Sequence, residues 1–294
     1  MFLLTVSGFV EKYLLLSSWQ PEHSLNLSIY IMEYMEDWMK SSMKIFESYV
    51  DSFTGLTPLQ QHNFSIKKDH SIRVAENALL LSKYLNLSEE EVQIAVLAGI
   101  FHDIGRFGQL LKHNTLNDAE SFDHADYGVE VLTGKEILKE WSDEVNRLVY
   151  KAIQLHNKFV IPTSLTSEEL LYTRILRDAD KLDIFKVLTE YYSDKSRPPN
   201  HTLTWDLPLA SQVSAEVAKE VLGGKLVSKQ LVKSDVDVKI MQLSWVYDIH
   251  FRFSFEEVLK NRFLEKIYNS LPKNDRIIEI YRKIKVFSEN KLMA

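Results

Sequence analysis

The chain has no cysteine among its 294 residues, which excludes disulfides, thiolate metal sites and cysteine nucleophiles outright. It has no polybasic run either, and its formal net charge is −6. That argues against tracking a long nucleic-acid backbone and leaves room only for a local basic pocket. No uninterrupted apolar stretch approaches the roughly 20 residues of a membrane span, so no membrane partner is expected. The apolar start, MFLLTVSGFVEKYLLLSSW, lacks a basic n-region and is interrupted by Glu11 and Lys12. It reads as a helix or arm packed on the body, and a cytoplasmic location is expected. Strand-length alternation is also missing, and all seven prolines fall in breaks or near helix ends.

Hydrophobic residues make up 45% and charged residues 26% of the chain, ordinary proportions for a globular protein with a sizeable core. Helical periodicity dominates, so the fold class is read as all-α. Met35, Met39, Met43, Phe46 and Val50 form one amphipathic stripe, a pattern typical of core. Thr54 to Pro58 marks a break. The next helix is expected from near Lys68 to Asn86, with Val74, Ala78, Leu81 and Leu85 on one face and His70 extending it. Ser88 and Glu91 form a capping box. The helix they open buries Ile94, Leu97, Ile100 and Phe101 and ends on His102 and Asp103, where Gly105 is expected to stop it.

Residues 106–122 read as a loop, followed by a helix from Asp123 to Leu132 with His124 in its first turn. A helix from Glu136 to His156 carries Trp141, Val145, Leu148, Ala152 and His156 on one stripe. Thr166 and Glu169 form a second capping box, and their helix places Thr173, Leu176, Asp180, Ile184 and Val187 on one face. Residues 193–208 read as a linker or lid. Helices are then expected over 209–222, 236–251, 254–270 and 274–288. The organisation is an N-terminal helical extension over 1–50, a core over 51–192, and a C-terminal helical region over 193–294 packed on that core.

The polar residues on inward faces or at helix ends are His70, His102, Asp103, His124, His156 and Asp180. An aspartate buried among Leu and Ile costs several kcal/mol unless it is paired or holds a metal. Imidazole and carboxylate together suit a transition metal better than magnesium or calcium. Asp178 stands about 200° from Asp180 around a helix, so it is expected to be solvated or paired with a basic neighbour. Asp183, one turn after Asp180, is a candidate for orienting an imidazole. His23, His62, His113, His201 and His250 fit no ligand position.

The order H…HD…H…H…D resembles the HD-domain superfamily of metal-dependent phosphohydrolases over roughly residues 65–190. The local phrases His70-Ser71-Ile72-Arg73-Val74, Phe101-His102-Asp103-Ile104-Gly105-Arg106, His124-Ala125-Asp126-Tyr127-Gly128 and Ala179-Asp180-Lys181-Leu182-Asp183 carry the resemblance. It implies a helical core with a first metal on His70, His102, Asp103 and Asp180. A second metal would take His124 and His156, with Asp103 bridging. The ions would be divalent transition metals (Fe, Mn, Ni, Co or Zn). They would activate a hydroxide to cleave a phosphoester of a nucleotide or similar small molecule. Arg106 would touch the substrate phosphate, as a lysine often does at that position in the family, and Arg73 and Lys181 would add positive charge. A homodimer would follow family habit.

The cyclic-dinucleotide branch is disfavoured, because Asn157 to Pro162 lack its GYP signature. The alarmone pyrophosphohydrolases carry an acidic pair shortly after the HD aspartate, where this chain has Ile104-Gly105-Arg106-Phe107. Two other classes share the fold: mixed-valent diiron oxygenases with the same ligand order, and modules that bind a ligand without catalysis. The Gly105-Arg106 phrase leans towards phosphate. On the helical-face argument, Asp103→Ala is expected to abolish turnover and Asp178→Ala to spare it.

Overall fold

Three helix starts are written into this chain as capping boxes, and the computed structural model, which describes residues 37–194, 205 and 207–293, begins three of its helices at them. Helix α1 spans Asp37–Asp51. Helix α2 spans Pro58–Tyr84, ten residues longer at its start than the stripe from Lys68 implies. Thr57 accepts from the Gln60 amide, the Gln60 side chain accepts from the Thr57 amide, and Pro58 pre-sets the first turn. Ser88 and Glu91 open α3, Glu89–Phe101, in the same way. Thr166 and Glu169 open α7, Ser167–Ser193.

Between α3 and α7 the outcome departs from the sequence pattern. The stretch expected as a loop begins as helix α4, Ile104–His113, and Gly105 lies inside it rather than ending the previous helix. Ile104, Phe107 and Leu110 face inward and are buried. The reason for glycine is proximity: a Cβ on Gly105 would stand 2.2 Å from the His124 carbonyl oxygen and 2.8 Å from the Gly128 nitrogen. Those atoms belong to α5, His124–Gly134, which Asp123 caps by accepting from the Ala125 and Asp126 amides. Helix α6 is Asp143–His156, capped by Ser142. The expected start at Glu136 is seven residues too early, because turns fill 135–141 and Glu136 takes a left-handed backbone with φ 51°.

Helix α2 lies against α3 and α7, α6 packs on α3 and α7, and α5 bridges α4 and α6. At the α2–α3 crossing, Gly99 lets the backbone of Ala75 approach to 2.8 Å of where a Cβ would sit. The stretch Glu89–His113 is apolar and long enough to cross a membrane by composition, but its apolar window is 89% buried inside the protein. It is core.

The C-terminal region is helical as expected, in shorter pieces: α8 Ala215–Leu222, α9 Asp235–Ser244, α10 Arg252–Lys260, α11 Phe263–Asn269 and α12 Asp275–Met293. The helix expected over 236–251 gives way to a 3₁₀ turn at Trp245–Asp248, and that over 254–270 breaks at Arg262, which is left-handed with φ 56°. Helices α10 and α11 pack on α7, so this region rests on the core. Among the described residues there is no strand, and the fold is all-α. Residues 45–294 form one compact unit and residues 1–44 another. The expectations for residues 1–36, and for 195–204 and 206 of the linker or lid, lie outside the described residues.

Gly105→Ala is expected to destabilise the protein by about 2 kcal/mol or more, since backbone rather than a pliable side chain blocks the added methyl. Urea denaturation against a Gly134→Ala control, where nothing lies near the added carbon, checks it.

Candidate metal centre

Asp103 is the second residue of the two-residue joint, His102-Asp103, between α3 and α4. An aspartate at a helix N-cap ordinarily accepts from the free amides of the first turn, but this one makes no such bond. Its carboxylate instead turns into the core, where it is 2% exposed. Each of its oxygens meets a different pair of histidines. Oδ2 faces His102 Nε2 at 3.5 Å and His70 Nε2 at 3.6 Å. Oδ1 faces His124 Nε2 at 3.2 Å and His156 Nε2 at 4.0 Å. Asp180 joins the first pair, with Oδ1 at 3.1 Å from His70 Nε2 and 3.8 Å from His102 Nε2. All six residues expected as ligands therefore converge from α2, α3, α5, α6 and α7.

The far sides of the imidazoles settle which nitrogen is available. His102 Nδ1 donates to the Gly99 carbonyl at 2.8 Å and His156 Nδ1 to the Ile153 carbonyl at 2.7 Å. His70 Nδ1 meets Asp183 Oδ2 at 2.6 Å, and His124 Nδ1 meets Asp118 Oδ2 at 2.7 Å. With Nδ1 carrying the proton, the Nε2 lone pair of every ring points at the centre. Those lone pairs crowd one another: His70 and His102 Nε2 are 3.2 Å apart, His124 and His156 Nε2 3.1 Å. Two nitrogens each about 2.1 Å from one ion stand about 3 Å apart at a right angle. Asp180 Oδ1 is buried with no hydrogen-bond partner. Converging lone pairs and an orphaned carboxylate oxygen fit a metal cation.

Charge follows the same logic. Burial, then the neighbouring His124 and His102, push His156 down to about 3, which keeps it a neutral donor at neutral pH. Burial would raise Asp103, but Lys67, His102 and His124 hold it well below the ordinary carboxylate range. Asp180 is likewise held low against burial, by His70, His102 and His156.

Each half of the centre is braced by a carboxylate and a guanidinium. Asp183, behind His70, accepts from Arg73 Nε at 2.5 Å and Nη2 at 3.0 Å. Asp118, behind His124, accepts from Arg106 Nη1 at 2.6 Å and from Gln109 at 2.9 Å. Arg106 Nη1 also meets the Gln109 side chain and the Leu116 carbonyl, while its buried Nε has no hydrogen-bond partner and lies 3.5 Å from Asp103 Oδ1. Lys181 sits apart, paired with Asp248 at 2.6 Å.

Asp178 needs correction. It does face away from Asp180, but it is neither solvated nor paired with a basic side chain alone. It is fully buried and accepts from the backbone amides of His250 and Phe251, both at 3.1 Å, and from His250 Nδ1 at 2.9 Å. Sequence reading also missed Lys67, whose ammonium donates to Asp103 Oδ2 at 2.7 Å. Its spacing of three from His70 puts it on the same helix face, a signal that was available. Asp118 and Arg177 left no such signal. Arg177 donates to the carbonyls of Leu155, His156 and Lys158 and pairs with Asp248, clamping the end of α6 to the C-terminal region.

Asp118→Asn and Asp183→Asn are each expected to weaken metal binding by about 10- to 100-fold with the fold retained, read by titration calorimetry. Asp178→Ala is expected to cost about 3 kcal/mol or more of stability by stranding buried donors, whereas Asp180→Ala loses metal and keeps its denaturation midpoint. In chelated protein, folded His156 stays neutral while the unfolded chain takes up a proton below about pH 6.5. Its contribution to stability therefore falls as pH drops from there towards 3. His70, raised by Asp180 and Asp183 against burial, acts in the opposite sense. The test is therefore His156→Gln, which should lose less stability than the parent between pH 7 and pH 5.

No curated protein and no solved structure gives a match to the chain. The family model described as HD domain matches residues 68–184, the segment that holds all six converging residues. The match covers less than half of the chain and makes this segment similar to an HD domain, a helical domain whose family is generally metal-dependent hydrolases.

Proposed function

We propose that the protein is a metal-dependent phosphohydrolase that cleaves a phosphoester of a nucleotide or similar small molecule, with two divalent transition-metal ions (Fe, Mn, Ni, Co or Zn) as cofactors. The observation that carries this reading is the division of the Asp103 carboxylate, one oxygen towards His70 and His102 and the other towards His124 and His156. When bound, such ions acidify a water and neutralise charge on phosphoryl oxygens. The protein's own residues supply the rest. Asp103 links the two halves. Asp183 and Asp118 keep Nδ1 protonated on His70 and His124. Arg106 keeps its unpartnered Nε beside Asp103 Oδ1. Arg73 and Lys181 act through the carboxylates they hold.

Charge favours a phosphoester over a neutral polyol. Arg73 is matched by Asp183 and Arg106 by Asp118, so two divalent ions and Lys67 would face only Asp103 and Asp180. The surplus is positive, and an anionic substrate neutralises it.

Metal analysis of the purified protein, followed by a screen of nucleotides, cyclic nucleotides and generic phosphoesters with Mn, Fe, Ni or Co, tests the reading. Phosphate release that Asp103→Ala abolishes is expected. Oxygen consumption with an organic substrate, and no ester cleavage, would replace it with the diiron oxygenase. His102→Ala and Asp103→Ala proteins that lose neither metal nor function would replace it with a non-catalytic ligand-binding module.

A further inference from the structure

His156 is held differently from the other histidines at the centre. It is the last residue of α6, where no following helical turn holds the carbonyls. Its Nδ1 donates to Ile153 of the same helix, whereas His70 and His124 are each braced by a carboxylate outside their own helix. His102 also leans on its own helix, through Gly99, but Asp103 and α4 follow it directly. His156 Nε2 stands 4.0 Å from Asp103 Oδ1, the longest of the four imidazole–Asp103 distances.

What fixes this helix end comes from α7. Arg177 Nη1 donates to the carbonyls of Leu155, His156 and Lys158, at 3.0, 2.9 and 2.7 Å. A guanidinium there also opposes the negative end of the helix dipole. Its other two nitrogens, Nε at 3.1 Å and Nη2 at 2.6 Å, both donate to Asp248 Oδ2. Asp248 ends the 3₁₀ turn Trp245–Asp248, outside residues 68–184, and the same oxygen takes Lys181 at 2.6 Å. Burial would raise Asp248, but Lys181 and Arg177 hold it below the ordinary carboxylate range. The Arg177 side chain is 3% exposed, so loss of its carboxylate would leave a buried charge unmatched and free to shift.

We propose that Arg177 and Asp248 are positioning residues for His156, through which the C-terminal region governs whether the second half of the centre keeps its metal ion. That half is Asp103 Oδ1 with His124 and His156. The inference rests on the two-ion phosphohydrolase reading. Neither positioning residue is among the six that converge. Asp248 fixes the guanidinium, the guanidinium fixes the His156 carbonyl, and the Nδ1 bond to Ile153 passes that placement to the ring. The first half is braced by Asp183 and Arg73 instead, so damage to the clamp falls on one half.

The test uses the full chain, stripped of metal and titrated with Mn, counting equivalents bound and following urea denaturation of the same samples. Wild type is expected to take up about two equivalents. Asp248→Asn and Arg177→Met are each expected to keep the first at wild-type affinity and weaken the second by about tenfold or more. Should Arg177→Met fail to fold, Asp248→Asn, which keeps the shape of a side chain 14% exposed, decides alone. Asp237→Ala is the control for general loosening of the C-terminal region. Asp237, in the first turn of α9, accepts from the Ser214 and Lys233 amides at 2.8 and 3.1 Å. Its loss is expected to lower the denaturation midpoint and leave both equivalents. Equal weakening of both equivalents in Asp248→Asn, or full retention of both, overturns the positioning role and leaves the phosphohydrolase reading standing. Loss of the second equivalent in Asp237→Ala overturns that role too. A wild type that takes up a single equivalent overturns the two-ion reading together with the inference resting on it.

Discussion

Everything at the centre of this protein depends on one buried carboxylate placed at a helix joint. Burying an ionised aspartate costs several kcal/mol unless donors surround it, and Asp103 is surrounded by four imidazoles, Lys67 and the Arg106 side chain. Those groups come from five helices, so the carboxylate ties together elements far apart in sequence. Its freedom to do so comes from what it gives up. Asp103 stands at the N-cap position of α4 without its side chain capping that helix, which leaves both oxygens for the core.

Close helix packing is the second condition. Gly99 and Gly105 sit where neighbouring backbone comes nearer than any Cβ tolerates. The first draws α3 against α2, and with it His102 against His70. The second draws α4 against α5, and with it Asp103 against His124. Neither glycine bears on catalysis directly. Each sets a distance that a longer side chain would change, and ligand nitrogens 3.1–3.2 Å apart leave little slack.

The supporting network has a repeated logic. His70–Asp183–Arg73 and His124–Asp118–Arg106 are two chains of imidazole, carboxylate and guanidinium, one behind each half of the centre. Asp178 with His250, and Arg177 with Asp248, then fasten α7 and the end of α6 to the C-terminal region. That region thereby touches the supports of His156 and Asp180. It is part of the architecture of the site.

The sequence by itself determined the all-α class, two of the three helix-opening boxes, and the six residues that converge at the centre, because each of these is local. A capping box is read over four residues, and an inward face over two turns. Asp183 was legible for the same reason, one turn beyond Asp180. Helix α4 was not, since Gly105 and Gly108 suppress the local helical signal and only contact with α5 explains them. The start of α6 and the breaks near Trp245 and Arg262 are likewise matters of packing. Tertiary structure alone decided that Asp178 is a buried anchor, that Asp118 orients His124, and that Arg73 and Lys181 are already paired. Partners such as Arg73 and Asp183, 110 residues apart, or His250 and Asp178, 72 apart, leave no periodic trace in the chain; which charges meet is settled only when the helices pack.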